Sequence, residues 1–436
     1  MEHILQSGDV MESRRFKDIV AFKREQSAPM AFHARNLEVA EISEELWNLL
    51  KSRESNQEAY ADLLDWESSE AANSALSSGF GEVRSLTINV TQICNLKCTY
   101  CAAGGDGTYG FAQTKIDVEK TLPQLKFFME RLPENSRFHI TFLGGEPLLY
   151  PEGIRAIGAY VSEVGKDRNL RAEFSIVTNG TLLSEKNLEL LSEIKANITI
   201  SVDGPSAIND RLRPSKNGQS STEMIITGLS CLQKYRKDLG FVRVHGVFGK
   251  DNTEILKAYD FYESLGVDQY EFSFSVESSD EVTNKKFISE MNAIAALAYV
   301  RGGEAGIRKI SFFDQQFSIL DRQVQIKNHC PAGKNFLMVD AKNNLYTCPW
   351  DVGNQSAKVG QGTELDVVKL EEYRENLVDK NNCQECWARF MCGGGCMFIH
   401  QQATGSKHKK DANFCARTRE LISTAIFYYK LSREFC

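Results

Sequence analysis

Between residues 84 and 300 the chain repeats one pattern, a short apolar run followed by a stretch of helical periodicity. The runs are SLTINV (85–90), FHITFLGG (138–145), AEFSIVTNG (172–180), ITISVDG (198–204), VRVHGVFG (242–249) and QYEFSFSV (269–276). Helical stretches lie near 117–131, 152–165, 184–195, 222–236, 254–265 and 281–300. Serial β/α units leave few folds open, because parallel strands need long crossovers and helices must cover the sheet. The spacing predicts an α/β fold with a parallel sheet, open or partly closed as a barrel. Chemistry then belongs at the C-terminal ends of the strands. The glycine- and cysteine-bearing turns all fall at those ends.

The flanks read differently. Residues 1–82 predict a small α+β domain with a linker. FKDIVAFKREQ (16–26) and PMAFHARNLEVAEI (29–42) have strand-like content, and SAP between them signals a turn. ISEELWNLLKS predicts a helix capped by Ser43, and the box Ser55-Asn-Gln-Glu58 a second helix reaching about Trp66. The small, polar residues 67–82 predict the linker. Residues 301–329 read as a connector, 330–415 as a cysteine-rich domain and 416–436 as a terminal helix. Hydrophobic content of 42% with 25% charged residues and nine prolines describes a globular chain. A net charge of -7 without a basic aromatic patch argues against a nucleic-acid partner. No apolar run approaches the roughly 20 residues of a membrane span, and no signal peptide opens the chain. The expected location is cytoplasmic, where twelve cysteines point to metal and not to disulfides.

CNLKCTYC places Cys94, Cys98 and Cys101 directly after the first run. Three thiolates on a four-iron cubane leave one iron open to a chelating small molecule; a zinc site borrowing a fourth ligand is the alternative. Further along come Cys330 and Cys348, then Cys383-x2-Cys386-x5-Cys392-x3-Cys396, and Cys415. Cys231 and Cys436 stand apart, and Cys231 reads as a small buried hydrophobe.

The C-x3-C-x-aromatic-C motif, LGGEPLL (143–149), TNG (178–180), SVDGP (201–205) and NDRLRP (209–214) together resemble the radical S-adenosylmethionine (SAM) superfamily. The resemblance covers residues 90–275 and implies a partial (β/α)6 barrel across 84–300. It implies a SAM-binding [4Fe–4S] cluster on Cys94, Cys98 and Cys101, with Tyr100 beside it. SAM contacts are then expected from Gly144 and Gly145, which let backbone approach the ligand, and from Glu146 toward the ammonium group. Thr178 and Asn179 follow strand three, Ser201 and Arg213 are expected on the carboxylate, and Asp203 near the ribose. Asn209 stands where this family usually has His. The implied chemistry is reductive cleavage of SAM to methionine and a hydrogen-abstracting 5′-deoxyadenosyl radical.

The late cysteines resemble the SPASM extension of these enzymes, which carries two auxiliary [4Fe–4S] clusters. The resemblance implies one cluster on Cys383, Cys386, Cys392 and Cys415. The other rests on Cys330, Cys348 and Cys396, with Phe336 where other members have a fourth Cys. Asn343 replaces a usual Gly, and Asn tolerates the left-handed turn expected there. SPASM enzymes mostly modify peptides or proteins. The expected function is maturation of a ribosomally made precursor peptide, by a cross-link (C–C, ether or thioether) or a backbone change. Electrons are expected from a donor such as flavodoxin or ferredoxin. Sulfatase-type members carry Asp directly after the second auxiliary Cys; here Pro349 occupies that position, and Asp351 is the nearest catalytic candidate. The N-terminal layout resembles leader-binding domains that capture a peptide as an edge strand, with a packing cap as the alternative. Other readings are a maturase of a folded protein or small molecule, and a structural zinc or electron-transfer protein.

Overall fold

The computed structural model describes residues 12–24, 27–52, 61–74, 82–101, 114–278 and 280–433. The capping box at 55–58, the glycine-rich stretch after Cys101 and Cys436 lie outside the described residues. Strands β1 (Glu12–Phe16), β2 (Ile19–Lys23), β3 (Met30–His33) and β4 (Glu38–Glu41) form an antiparallel sheet in that order. The second expected strand segment, 29–42, is thus a hairpin, and the first, 16–26, holds β2 and only the last residue of β1. Lys17 and Leu37 take the left-handed turn positions, at φ 51° and 59°, where Gly or Asn is the usual signal.

Helix α1 (Glu44–Ser52) opens on Ser43, whose Oγ accepts from the Leu46 N–H at 3.1 Å. With α2 (Ala61–Ser68) it covers one face of the sheet, packing Trp47, Leu50 and Leu63 on Ile19, Ala21 and Ala31. The other face, Val20, Phe22, Met30 and Phe32, packs on the late-cysteine region. Trp387 meets Phe22 and Phe32 edge-on, with centroids 5.2 and 6.1 Å away, and Arg389 pairs with Asp18 at 2.7 Å. Both faces of this sheet are therefore buried.

After the two-residue β5 (Asn73–Ser74) come six parallel strands, each beside the next: β6 (Ser85–Thr91), β7 (Arg137–Gly144), β8 (Arg171–Thr178), β9 (Asn197–Ser201), β10 (Val242–Phe248) and β11 (Gln269–Phe274). The intervening helices are α3 (Val118–Met129), α4 (Pro151–Asp167), α5 (Glu185–Glu193), α6 (Ser206–Leu212), α7 (Ser221–Leu232) and α8 (Ile255–Glu263), with α9 (Glu281–Arg308) following β11. Asp117, Ser184, Ser220 and Asp280 cap α3, α5, α7 and α9 through side-chain hydrogen bonds. α6 was not expected: it is short and opens at Pro205 without a side-chain cap.

Residues 301–329 are more than a connector. They hold the end of α9, all of α10 (Ser311–Arg322), and β12 (Val324–Gln325), which pairs with β5 inside the expected linker. Beyond them β13 (Phe336–Val339) lies parallel to β6, and β14 (Asn344–Tyr346), β15 (Gly360–Gln361) and β16 (Glu364–Leu365) extend the same sheet antiparallel. The ten-stranded sheet has β11 and β16 at its edges, giving the expected α/β partial barrel. Asn343 holds its turn at φ 62°, and its amide also donates to Thr121 Oγ1 at 2.8 Å. Short helices α11 (Val367–Glu371), α12 (Leu377–Lys380), α13 (Arg389–Cys392) and α14 (Met397–Thr404) fold the late cysteines, and α15 (Ala412–Leu431) packs back on α9. Among the described residues no helix is long and apolar enough to cross a membrane.

The barrel strands are two-faced. Phe138, Ile140, Phe142, Phe174, Ile176, Ile198, Ile200, Val242 and Val244 are buried beneath the helices. The alternate positions carry polar side chains that pair across the interior: His139 Nε2 with Ser175 Oγ at 2.8 Å, His245 Nε2 with Ser273 Oγ at 2.9 Å, and Arg243 with Glu271 at 3.1 Å. A closed parallel barrel fills its centre with apolar side chains. This one keeps a polar interior, and that interior opens into the site.

Candidate functional site

Cys94 lies just past β6 and is buried; its Sγ accepts from the Leu96 N–H at 3.4 Å and from Asn179 Nδ2 at 3.8 Å. The same Asn179 amide donates to Asn95 Oδ1 at 2.8 Å, and Asn95 donates to Thr181 Oγ1 at 2.8 Å. On its other side the loop is pinned to the segment after α6, with the Lys97 N–H on the Pro214 carbonyl at 2.8 Å and the Thr99 N–H on that of Leu212 at 2.9 Å. The TNG turn and the residues around Arg213 therefore fix where the three thiols sit.

The glycines of LGGEP serve a packing need nearer than a ligand. A Cβ on Gly145 would lie 2.4 Å from the Ile93 carbonyl oxygen, and one on Gly144 would lie 2.2 Å from that of Thr91. The Gly145 N–H donates to Thr91 at 2.7 Å, and the Glu146 N–H to Ile93 at 2.8 Å. The turn is thus pressed against the backbone that leads into the cysteine loop. Glu146 itself is fully buried. Its Oε1 accepts from the Leu148 N–H at 3.0 Å and Thr178 Oγ1 at 2.8 Å, and its Oε2 from the Asn179 N–H at 2.7 Å. The side chain thus clamps the second turn to the third.

Burial raises the Glu146 carboxyl to about 7, against hydrogen bonds from Asn179, Leu148 and Thr178 that lower it. Its ordinary value is 4.5, so between these pH values the folded chain holds a proton that the unfolded chain has lost. Stability from this group is therefore greatest below about pH 4.5 and falls as pH rises toward 7, by on the order of 3 kcal/mol. Glu146→Gln, which mimics the neutral acid, is expected to gain stability relative to wild type between pH 5 and pH 7. Urea midpoints at both pH values read this, and parallel profiles for the two proteins would contradict it.

Asp203 and Arg213 form a buried bidentate pair, Nε to Oδ2 at 2.9 Å and a terminal nitrogen to Oδ1 at 3.1 Å. Tyr100 donates its hydroxyl to Oδ2, the Val247 N–H reaches Oδ1 at 3.0 Å, and the Arg213 guanidinium lies 5.3 Å from the Tyr100 ring. Four donors fill the roughly four acceptor sites of the carboxylate. The Asp203 side chain thus holds the Arg213 guanidinium in place. Asn209, in place of the family's His, accepts from the Asp203 N–H at 3.0 Å and donates to Ser221 and Thr222 at 3.1 Å, tying this turn to α7.

Among the clustered cysteines, burial and then neighbouring thiols of the same set raise the pKa of Cys98, Cys330, Cys348 and Cys392. Burial pushes Cys98 to about 11, eased by Arg213 and reinforced by Cys101 and Cys94. Cys392 is pushed to about 12 by burial, then by Cys386, Cys415 and Cys383. Burial, with smaller contributions from Asp351, Cys396 and Cys330, raises Cys348. A single zinc would need its thiolates to converge within about 4 Å of one another. Among the described residues no three Cys, His, Asp or Glu side chains converge on one ion.

One cavity of about 700 Å³ joins these parts. It is lined by Cys98, Tyr100 and Cys101 from the first loop, by Ser201 at the end of β9, His245 within β10 and Arg213 just after α6, and by Cys392 and Cys396 from the late sets. Trp350 also lines it, stacked on Phe398 at 5.4 Å, whereas Asp351 does not. Burial raises the Asp351 carboxyl, with Lys407 opposing. The sequence did not single out His245, Glu271, His329, Trp350 or Arg417 as cavity residues; polar residues at every second strand position were the available signal for the first two.

A model described as the Radical SAM superfamily matches residues 88–262. The chain is 24% identical over 354 residues to a cysteine-type anaerobic sulfatase-maturating enzyme of Clostridium novyi, covering 76% of this chain and 89% of that one. It is 22% identical over 375 residues to the radical SAM cyclopropyl synthase TigE of Paramaledivibacter caminithermalis, covering 79% and 74%. Its fold matches solved anSMEcpe with bound AdoMet at a TM-score of 0.65 and 19% identity, over 80% of this chain and 95% of that chain. A second solved form, with bound AdoMet and Cp18Cys peptide, matches at 0.63 and 19% identity, over 80% and 99%.

Proposed function

We propose that this chain, a radical SAM superfamily enzyme of the SPASM type, modifies a peptide by hydrogen abstraction within the barrel cavity. Cys94, Cys98 and Cys101 hold the SAM-binding [4Fe–4S] cluster. Cys383, Cys386, Cys392 and Cys415 hold one auxiliary cluster, and Cys330, Cys348 and Cys396 the other. SAM, cleaved reductively when bound, supplies the 5′-deoxyadenosyl radical. Ser201 and Arg213 bind the SAM carboxylate, Asp203 and Tyr100 hold the guanidinium in place, and the deep strand-end setting excludes water.

The observation that carries this reading is the single cavity lined by Cys98, Cys101, Cys392 and Cys396, which draws on all three thiol sets. Its volume, about 700 Å³, lies high in the roughly 300–1,000 Å³ range of small-molecule sites, leaving room for substrate beside SAM. A peptide is supported by the relative solved with one and by the kinship to a cyclopropyl synthase. The product is a cross-link or a backbone change, with electrons from a flavodoxin- or ferredoxin-type donor. A sulfatase-type reaction is disfavoured because Pro349 follows Cys348 directly and Asp351 does not line the cavity.

Anaerobic reconstitution is expected to load about twelve irons per chain, four for each cubane. Reduced enzyme with SAM is expected to release 5′-deoxyadenosine. Zinc without labile sulfide, or no 5′-deoxyadenosine, overturns the assignment. Co-expression with a short peptide encoded beside the gene, read by mass spectrometry, tests the substrate: loss of two hydrogens marks a cross-link, and an unmodified peptide counts against peptide maturation.

A further inference from the structure

The wall of the cavity built by α9, α10 and α15 carries a cation, Arg417, that no carboxylate of the described residues touches, although Asp411 and the Cys415 thiol favour its charge from further off. Arg417 is 6% exposed and lines the cavity. One guanidinium nitrogen donates to the Asn284 side-chain oxygen, and its carbon lies 3.9 Å from the Phe274 ring centroid and 5.6 Å from that of Phe414. Among the described residues no carboxylate forms an ion pair with it. Of the carboxylates lining the cavity, Glu271 is held by Arg243 at 3.1 Å and Glu277 is exposed to solvent. The guanidinium sits over Phe274, and its N–H donors not used by Asn284 form the planar fork that suits a carboxylate.

A buried charge paired only with a neutral amide costs several kcal/mol unless something else compensates it. The same wall holds an unmatched acceptor. Gln316 on α10 is 3% exposed, lines the cavity, and its Oε1 has no hydrogen-bond partner. Buried polar atoms in folded proteins are nearly always satisfied, and an orphan facing a cavity marks a place where a ligand donor fits.

We propose that Arg417 and Gln316 form a subsite for an acidic residue of the substrate peptide. Arg417 takes its carboxylate, and Gln316 accepts from a backbone N–H of the same segment. The proposal rests on the peptide reading above and adds to it a charge requirement. The carboxylate belongs to an Asp or Glu side chain or to the peptide's C-terminus, and the probes below separate these sources.

The test uses the reconstituted full chain with SAM and three N-acetyl pentapeptides, with affinities read by ligand-observed NMR titration. These are Ala-Ala-Glu-Ala-Ala amide, its Gln counterpart, and the Gln peptide with a free C-terminal carboxylate. At least one carboxylate peptide is expected to bind the wild type about tenfold or more tightly than the Gln amide. Which one does so identifies the source. Arg417→Gln is expected to erase that preference, and Arg417→Lys to keep part of it; iron content and circular dichroism verify that both variants fold. Gln316→Leu is expected to weaken all three peptides together. Equal binding of the three by wild type, or a preference that survives Arg417→Gln, overturns the subsite. A variant that loses iron while keeping the preference shows instead that Arg417 balances the thiolates around Cys415. Wild type that makes 5′-deoxyadenosine yet ignores the carboxylate refutes the subsite alone, and wild type that makes none refutes the enzyme reading beneath it.

Discussion

Replacement of Cys98 by alanine is expected to reduce 5′-deoxyadenosine formation to background while leaving most of the iron in place. Cys98 and Cys101 line the cavity, and Cys94 sits behind them with its Sγ held by Leu96 and Asn179. Two thiols cannot hold a cubane that three hold with an open iron, so iron is expected to fall by about four per chain, to about eight. The auxiliary sets draw on other residues and keep theirs. Cys231→Ala is the matched control: that thiol sits in α7, partly buried against the core and apart from all three sets, and its loss is expected to change neither iron nor product. Iron and labile sulfide assays with chromatography of the SAM products read both proteins. Undiminished turnover by Cys98→Ala would remove the first cluster from its assigned place.

Much of this arrangement is legible in the chain because its signals are local. Six apolar runs, the helical periodicity between them and cysteine spacing all act within a few residues, and the barrel follows them. Asn343 was expected to tolerate the left-handed turn, and it sits at φ 62°. What escaped depends on partners distant in sequence. Lys17 and Leu37 make left-handed turns that their side chains do not advertise, so the hairpin over 29–42 looks like one strand. β13 to β16 are too short to declare themselves and are ordered by docking onto β6. Glu146 and Asp203 stand in turns where an exposed carboxylate would meet a ligand. Only the fold reveals that Thr178 and Asn179 hydrogen-bond to one, and Arg213, Tyr100 and Val247 to the other. Arg417, two positions past Cys415, reads as a helix-surface charge until α9 and β11 close over it.

The second large effect is expected at Asp203, through stability before chemistry. Its carboxylate is fully buried and receives four donors: two nitrogens of Arg213, the Tyr100 hydroxyl and the Val247 N–H. Asparagine keeps the shape but offers one oxygen, so two of those donors are left facing its NH2 group. Arg213 meanwhile retains a full charge in a site with no other carboxylate bound to it. Breaking one side of a buried ion pair costs roughly 3–5 kcal/mol, and Asp203→Asn is expected to lower the urea unfolding free energy by about that amount. Arg213→Met on its own leaves the Asp203 carboxylate uncompensated and is expected to cost a similar amount. The double replacement, which removes both charges, is expected to cost less than the sum of the two. Full additivity would show that the pair contributes no coupling. Because Arg213 lines the cavity and Asp203 only holds it there, the two single variants should also separate in their response to SAM. Asp203→Asn raises the SAM concentration needed for half-maximal cleavage through a misplaced guanidinium, and Arg213→Met raises it further through a missing one.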